Sequence, residues 1–328
     1  MSDVLGIGNA IVDVLSHTTD DLLERYDLAK GSMTLIDASQ AMKLYRELSE
    51  PVQCSGGSAA NTMVGLASLG GEAAYVGKVR DDPLGALFTD GIRRAGVSFE
   101  TTPASEGPPT GRCLVLVTPD AQRTMLTFLG SSANLGPGDI DARAVEEASI
   151  VYLEGYLWDP PPAKQAFLEA ARIAHHAGRK VALTLSDGFC VDRHRTEFLD
   201  LVARHVDILF ANEDEICSLY ESGTFEEAVE RLGHRCEVAA LTRGEKGSVI
   251  VSGERRIEVA AEPVDRVVDT TGAGDLYAAG FLYGLTQGRE LAECGRLGGV
   301  AAADVIRHFG ARPSESPVRL ADGGQLNA

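Results

Sequence analysis

Residues 150–242 alternate short apolar runs with longer amphipathic stretches, and this alternation restricts the fold more than any other feature of the chain. The apolar runs have the length of buried strands and lie at 150–153, 181–185, 206–210 and 238–242. Helical patterns fill the intervals between them, at about 162–177, 195–205 and 225–232. Strands that alternate with helices form a parallel sheet covered by helices on both faces. We therefore predict a doubly wound α/β fold whose ligands bind at the carboxyl ends of the strands.

Charge and cysteine usage exclude several classes of function. The formal net charge is −18 at pH 7, which argues against nucleic acid or an anionic membrane as the main partner. The sequence begins without the basic segment of a signal peptide, and no apolar run is long enough to span a membrane. The six cysteines are scattered without C-x-x-C spacing, which predicts reduced thiols, a cytoplasmic protein and no zinc site.

A glycine-rich turn separates a predicted strand end, Val267-Val268, from an apolar helix at 276–285. The first N–H groups of a helix lack partners within the helix, and the helix dipole adds partial positive charge there. Gly272 and Gly274 have no Cβ atoms that would keep an anion away from these groups. The turn is therefore predicted to bind an anion.

Asp275 lies in the first turn of this helix, where its carboxylate can accept a proton from a hydroxyl that attacks the bound group. The combination indicates phosphoryl transfer to an alcohol. A purely structural alternative exists, because the helix dipole by itself favours Asp at this position. The dipole is also expected to lower the pKa of Asp275 and weaken it as a base. A loose phosphoryl-transfer transition state requires little base strength, so positioning can suffice.

Two further motifs carry polar groups at turns. Asn9 and Asp13 stand at the tip of the first predicted strand and are suited to binding hydroxyl groups. Gly56 and Gly57 precede another helix, and Asn61 lies in its first turn, where it can bond a ligand. The alternatives are turn-forming Asn and Asp residues and a tightly packed helix start.

These three motifs together resemble those of the PfkB (ribokinase-like) carbohydrate and nucleoside kinases. They occur in the order of that family and spread over most of the chain, at 8–13, 56–61 and 269–275. The resemblance implies a single kinase domain, residues 1–328, in which a mostly parallel sheet carries a small β-sheet lid. The lid is expected to consist of about 16–37 and 101–128. Residues 313–328 are expected to form a loose tail.

The resemblance also implies roles for individual residues. Asp275 is expected to be the base, and the transferring phosphate to be held by the N–H groups of Gly272, Ala273 and Gly274. Arg123 matches an arginine that reaches the phosphates when the lid closes. Asp269 and Thr271 match positions that border a monovalent cation, such as K⁺, in many members.

The nucleotide side of the site follows from the same comparison. Asn212 and Glu215 are similar to the N-x-x-E element of the family, which organises Mg²⁺ through water beside ATP. A helix N-cap pair is the alternative for these two residues, and we discount it because the other motifs are present. The nucleotide itself is expected against Thr242, Gly244 and Gly247.

The acceptor is harder to predict. The stretches 185–189 and 206–213 and the helix-rich segment before Gly56 are more similar to adenosine kinases than to ribokinases. Phe189 would then stack on a purine, although a core phenylalanine is the commoner role for such a residue. Ser-Ala-Ala between Gly57 and Asn61 is closer to sugar kinases, so ribose or fructose stays open as the acceptor.

Two other functions remain as alternatives. A family member without activity could bind a nucleoside or sugar as a sensor, although such a protein is expected to lose Asp275 or the glycine turn. A flavin or nicotinamide enzyme could use the same sheet, but Ile11 stands where a dinucleotide fingerprint has its third glycine. The sequence leaves open whether the protein is a monomer or a homodimer.

Overall fold

The computed structural model describes residues 2–120 and 122–313. The strands are β1 (Val4–Ile7), β2 (Ile11–His17), β3 (Met33–Leu35), β4 (Val52–Gly56), β5 (Ala73–Val76), β6 (Ser98–Phe99), β7 (Thr110–Val117), β8 (Arg123–Gly130), β9 (Ile150–Glu154), β10 (Lys180–Thr184), β11 (Ile208–Asn212), β12 (Val238–Thr242), β13 (Ser248–Ser252) and β14 (Arg255–Val259). The α-helices are α1 (Asp20–Arg25), α2 (Ala38–Tyr45), α3 (Ser58–Ser68), α4 (Pro83–Arg94), α5 (Ala142–Glu147), α6 (Pro161–His176), α7 (Gly188–Arg204), α8 (Glu213–Tyr220), α9 (Phe225–Leu232), α10 (Ala273–Thr286) and α11 (Leu291–Val305). The tail predicted at 313–328 lies outside the described residues, apart from Pro313.

The large sheet has the predicted doubly wound arrangement. Its strand order is β14-β13-β12-β11-β10-β9-β1-β5-β6. The strands from β12 through β6 in this order are parallel, and β13 and β14 add an antiparallel hairpin at one edge. The four apolar runs predicted between residues 150 and 242 are the neighbouring strands β9 to β12. The α/β fold class is therefore confirmed.

Both faces of this sheet are covered because successive strand residues point to opposite sides. Val4 and Tyr152 belong to the apolar core that contains the buried faces of α3, α10 and α11. Leu5 and Val151, their neighbours in sequence, belong to the core that contains α6, α7 and α9. Strands buried on both faces read as continuous apolar runs, which is why the sequence showed them clearly.

A smaller second sheet has the order β3-β8-β7-β2-β4. It contains β3, β7 and most of β8 from the segments 16–37 and 101–128 that we expected to form the lid. It also contains β2 and β4, most of which lie outside the segments 16–37 and 101–128 that we expected to form it. The sequence did not reveal β4 because its residues, Val-Gln-Cys-Ser-Gly, have little strand preference of their own. Pairing with β2 brings them into the sheet.

One predicted strand is absent. Val267 and Val268 lie in irregular backbone before α10, and Val267 is exposed. The N–H group of Val268 donates to the carbonyl of Ile306, just after α11, at 2.8 Å. The segment is thus held by the end of a helix rather than by a neighbouring strand.

Helices α10 and α11 pack with almost no side chain between them at Gly280. A Cβ atom added to Gly280 would lie 2.7 Å from the carbonyl carbon of Leu297 in α11. This close packing fixes α10, whose N-terminus carries Asp275, against the rest of the core. None of the helices in residues 2–120 and 122–313 is long and apolar enough to cross a membrane.

We expect Gly280→Ala to lower the free energy of unfolding by about 1–3 kcal/mol, because the added methyl group meets backbone that cannot move aside. Gly299→Ala on α11 is the matched control. Its Cβ would lie 3.8 Å from a side-chain carbon of Glu262, so the helix preference of Ala should leave stability unchanged or raise it by up to about 1 kcal/mol. Urea unfolding followed by circular dichroism measures the free energy of unfolding of both variants. Equal changes in the two variants would contradict the packing argument.

Candidate active site

The glycine turn before α10 has backbone groups suited to an anion. Gly272 has a φ of 79°, in the left-handed region that favours glycine, and an added Cβ would lie 2.8 Å from the Ala311 side chain. Gly274 faces open space. Its N–H group and that of Gly272 donate to no acceptor in the described part of the chain. The N–H group of Ala273 bonds a carbonyl of the same turn at 3.2 Å, so its predicted contact with phosphate is not supported in this conformation.

The carboxylate of Asp275 is held by two side chains from the start of α3. Ser58 donates its hydroxyl to Oδ1 of Asp275 at 2.6 Å, and Asn61 donates Nδ2 to Oδ2 at 3.0 Å. The Oδ1 atom of Asn61 is buried without a hydrogen-bond partner among the described residues, so it can accept a bond from a ligand hydroxyl. The sequence analysis missed Ser58, although it lies directly after Gly57 in the predicted motif.

The pKa of Asp275 is shifted in the direction opposite to the one we expected from the helix dipole. Burial raises this pKa, and the hydrogen bonds from Ser58 and Asn61 together with the charge of Arg312 oppose the rise only in part. Desolvation of the carboxylate therefore outweighs the stabilisation that its donors provide. A raised pKa makes Asp275 a stronger base than an exposed aspartate.

Gly56 and Gly57 are required by their neighbours in the protein. A Cβ atom on Gly56 would collide with the carboxylate of Asp13, and one on Gly57, where φ is 100°, would collide with the carbonyl of Asn9. The two glycines therefore bring Asp13 against the start of α3. Burial raises the pKa of Asp13 to about 7, with the charge of Arg312 lowering it and that of Asp275 raising it.

Asn9 is buried, and the protein uses both ends of its side-chain amide. Its Nδ2 donates to Glu154 Oε1 at 2.8 Å, and its Oδ1 accepts from the Ser132 hydroxyl at 2.9 Å. The other oxygen of Glu154 accepts the N–H group of Ala59 at 2.9 Å. The structure therefore does not support Asn9 as a direct substrate ligand. It holds Glu154, which in turn holds the start of α3.

Arg123 extends from the second sheet to the segment before the anion turn. Its guanidinium forms an ion pair with the buried carboxylate of Asp269 and donates to the Thr271 hydroxyl at 2.5 Å. Asp269 also accepts the N–H groups of Thr271 and Gly310, at 2.6 and 2.8 Å. Because a guanidinium already lies against Asp269 and Thr271, these residues do not fit a monovalent cation in this conformation.

Asn212 and Glu215 form a reciprocal capping box at the start of α8. Asn212 Oδ1 accepts the N–H group of Glu215 at 2.8 Å, and the Glu215 carboxylate accepts from the Asn212 backbone and side chain at 2.9 and 2.7 Å. The helix-cap role that the sequence analysis discounted is thus present. The pKa of Glu215 is raised to about 7, mainly by burial, with the backbone N–H group of Asn212 lowering it and the charges of Asp187, Asp214 and Asp275 adding to the rise.

The predicted nucleotide turn follows β12. Thr242 ends this strand, and Gly244 has a φ of 58° with open space at its Cβ position. Gly247 has a φ of 83°, and a Cβ there would collide with backbone at the end of β14. Arg243, which the sequence analysis did not single out, donates from Nη2 to Glu213 at 2.9 Å and lies over the Phe225 ring. This pairing fixes the turn beside the start of α8.

Phe189 is a surface residue, and the structure contradicts the core role that is commoner for phenylalanine. Its relative exposure is 76%, and it lies in the first turn of α7, which a three-residue loop, 185–187, joins to the carboxyl end of β10. The hydroxyl of Tyr156, another residue that sequence reasoning missed, donates to the Ser186 carbonyl at 3.2 Å in the same loop. An aromatic side chain is therefore presented at the edge where strands of the sheet end.

No group of three or more His, Cys, Asp or Glu residues with the geometry of a metal site occurs within residues 2–120 and 122–313. All six cysteines are free, as predicted. The predicted Asn212 and Glu215 thus do not form a preformed cage of protein ligands, and contact with Mg²⁺ through water stays a prediction.

Comparisons with known proteins all identify similarity to kinases of one family. A model of the pfkB family of carbohydrate kinases matches residues 26–318. The structure of adenosine kinase from Sinorhizobium meliloti is 53% identical, covers 96% of this chain and 97% of its own, and has a TM-score of 0.91. A probable sugar kinase from Rhizobium etli is 51% identical, with 96% of both chains covered and a TM-score of 0.91. Adenosine kinase from Saccharomyces cerevisiae is 28% identical, covering 94% of this chain and 96% of its own.

We expect the free energy of unfolding to fall as the pH rises from 5 to 8. Burial raises the pKa of Glu154 to about 7, so the folded protein keeps a proton that the unfolded chain has already released. The pKa values of Asp13 and Glu215 are also raised, so these residues change the free energy of unfolding in the same direction. Thermal unfolding at several pH values measures the slope, and Glu154→Gln should flatten it even if the variant is less stable throughout. A slope that is the same in Glu154→Gln would contradict the assignment.

Proposed function

Because this chain belongs to the pfkB family of carbohydrate kinases, we propose that it transfers the γ-phosphoryl group of ATP to the 5′-OH of adenosine. The observation that carries the proposal is the carboxylate of Asp275, which Ser58 and Asn61 hold beside the open glycine turn. A base and an anion site on the first turn of one helix are what transfer to a hydroxyl needs. A sugar kinase is the second candidate, supported by the match to the Rhizobium etli protein.

Each residue has a defined task in this reaction. Asp275 accepts the proton of the 5′-hydroxyl while that oxygen forms a bond to the γ-phosphorus and the bond to the β,γ-bridging oxygen breaks. AMP and ADP are the products, and the proton stays on Asp275 until it is released to solvent. The N–H groups of Gly272 and Gly274 stabilise the negative charge on the transferring group. Asp13 and the free oxygen of Asn61 bind ribose hydroxyls.

The acidic surroundings of Glu215 fit a divalent cation. Burial is the main cause of the raised pKa of this carboxylate, the charges of Asp187 and Asp214 add to it, and a positive ion would relieve their repulsion. Each Glu215 oxygen retains a lone pair beside the capping bonds, so Glu215 and Asn212 can accept from the waters of Mg²⁺. The ion would neutralise charge on the ATP phosphates. Because Arg123 already binds Asp269 and Thr271, the proposed reaction uses no monovalent cation at these two residues.

Two observations favour adenosine over a free sugar. Phe189 presents an exposed aromatic ring at the carboxyl edge of the sheet, where a purine can stack. The Sinorhizobium meliloti protein, which is 53% identical over nearly the whole chain, is an adenosine kinase. A free sugar makes no comparable use of an aromatic ring at this position.

Asp275→Asn should lower kcat by roughly 10²–10⁴-fold, because the amide cannot accept the hydroxyl proton. The fold should persist, since the side chain keeps its shape. Asp265→Asn, at an exposed position in the loop before α10, is the matched control and should leave kcat unchanged. ADP release with Mg-ATP and adenosine gives kcat for both. Near-normal turnover by Asp275→Asn would remove Asp275 as the base.

Phe189→Ala should raise the KM for adenosine by about 5- to 100-fold, the range expected from the loss of one base–aromatic stack. Activity on ribose, which has no base, should not change. Leu168 is another exposed apolar residue, and Leu168→Ala should change neither the KM for adenosine nor the activity on ribose. An unaltered KM for adenosine would mean that Phe189 is not a purine contact.

The acceptor is identified by ADP release with adenosine, inosine, guanosine, ribose and fructose, each in K⁺ and in Na⁺ buffer. Turnover on adenosine with little on free sugars supports the proposal, whereas preference for a sugar moves the protein to the second candidate. Binding of a nucleoside or sugar without any turnover would instead favour a sensor. An absorbance spectrum of the purified protein tests the flavin alternative.

A further inference from the structure

Residues 310–312 connect the two glycine turns of the site. The N–H group of Gly310 donates to Oδ2 of Asp269 at 2.8 Å, and Ala311 packs against Gly272. The next residue, Arg312, extends in the other direction, toward the start of α3. This short segment therefore contacts both the anion turn and the turn that holds Asp275.

Arg312 bonds both ends of the β4–α3 loop, residues 55–60, which comprise the end of β4, Gly57 and the first turn of α3. Its Nε donates to the carbonyl of Ser55 at 3.1 Å, and its Nη1 donates to the carbonyl of Ala60 at 3.3 Å. Its Nη2 donates to the Ser55 carbonyl and, at 3.0 Å, to the Ser55 hydroxyl. One guanidinium thus spans residues 55–60, which include Gly56, Gly57 and Ser58. A lysine cannot make this set of hydrogen bonds, because all its N–H donors are on one nitrogen atom.

The guanidinium also lies among the acidic groups of the site. Its charge interacts with Asp13 and Asp275, and with the Cys54 thiol and the Tyr75 hydroxyl. Its charge lowers the pKa of both carboxylic acids against the effect of burial. Most of its N–H groups are already used by Ser55 and Ala60, so Arg312 acts on the carboxylates through its charge and on the loop through its bonds.

We propose that Arg312 is a positioning residue for phosphoryl transfer: it fixes residues 55–60 relative to the anion turn, so that Ser58 and Asn61 hold Asp275 where it meets the acceptor hydroxyl. The proposal rests on the proposed function for its kinetic consequence. Its structural part, the immobilisation of the loop by the guanidinium, does not depend on the reaction. A small displacement of a catalytic group is enough to slow a reaction on the order of 10²-fold.

The variants Arg312→Gln and Arg312→Lys test the proposal kinetically. Arg312→Gln should lower kcat on the order of 10²-fold, with a much smaller change in the KM for ATP. Arg312→Lys keeps the positive charge but loses the planar set of guanidinium donors, so its kcat should lie between those of Arg312→Gln and the wild type. Millimolar guanidinium should restore part of the activity of Arg312→Gln, which loss of folding alone would not permit. Arg307→Gln is the matched control, since Arg307 is exposed and its Nη2 donates to the Pro263 carbonyl, which lies outside residues 55–60.

Hydrogen exchange provides the readout that needs no catalysis. Amides of residues 56–61 should exchange faster in Arg312→Gln than in the wild type, while those of the central strands β9 and β10 stay protected. Unchanged exchange in this loop, or wild-type kcat in a folded Arg312→Gln protein, would overturn the proposal. If the wild type phosphorylates no acceptor, the proposed function fails, yet hydrogen exchange still decides whether Arg312 immobilises the loop.

Discussion

The hydrogen bonds from Ser58 and Asn61 to Asp275 join two helix starts that are more than two hundred residues apart in the chain. Each helix begins at a glycine turn, and each lies against a fixed neighbour, α3 against β1 and α10 against α11. Because both turns are anchored in the same core, the carboxylate between them has little freedom to move. The proposed reaction depends on this single junction, since it places the carboxylate of Asp275 beside the N–H groups of Gly272 and Gly274, which donate to no acceptor among the residues described.

Charge balance is the second constraint on this site. Asp13, Glu154, Glu215 and Asp275 all have a raised pKa, and burial is the main cause in each case. The charge of Arg312 opposes this rise at Asp13 and Asp275, and Arg123 pairs with the buried carboxylate of Asp269. Buried carboxylates that remain partly protonated cost stability when they ionise. A substrate that brings hydroxyl donors, or a divalent cation, would reduce that cost.

Several residues singled out from the sequence bind other parts of the protein in this conformation. Asn9 holds Glu154, Asn212 and Glu215 cap α8, and Asp269 binds Arg123. A motif records which residues occur together, but it does not distinguish a residue that touches the ligand from one that supports its neighbour. That distinction depends on where each lone pair and N–H group points, which only the coordinates show.

The sequence alone determined the α/β class, the positions of the parallel strands β9 to β12 along the chain, and the two glycine turns that carry Asp275 and Asn61. These features are local, since strand length, helical periodicity and glycine spacing are properties of neighbouring residues. Tertiary structure decided that β2 and β4 join the second sheet, that Val267 and Val268 form no strand, and that Phe189 is exposed. It also decided that the pKa of Asp275 rises and that Arg312 enters the site. Burial and contacts between distant segments control these outcomes, and neither can be read from a short stretch of residues.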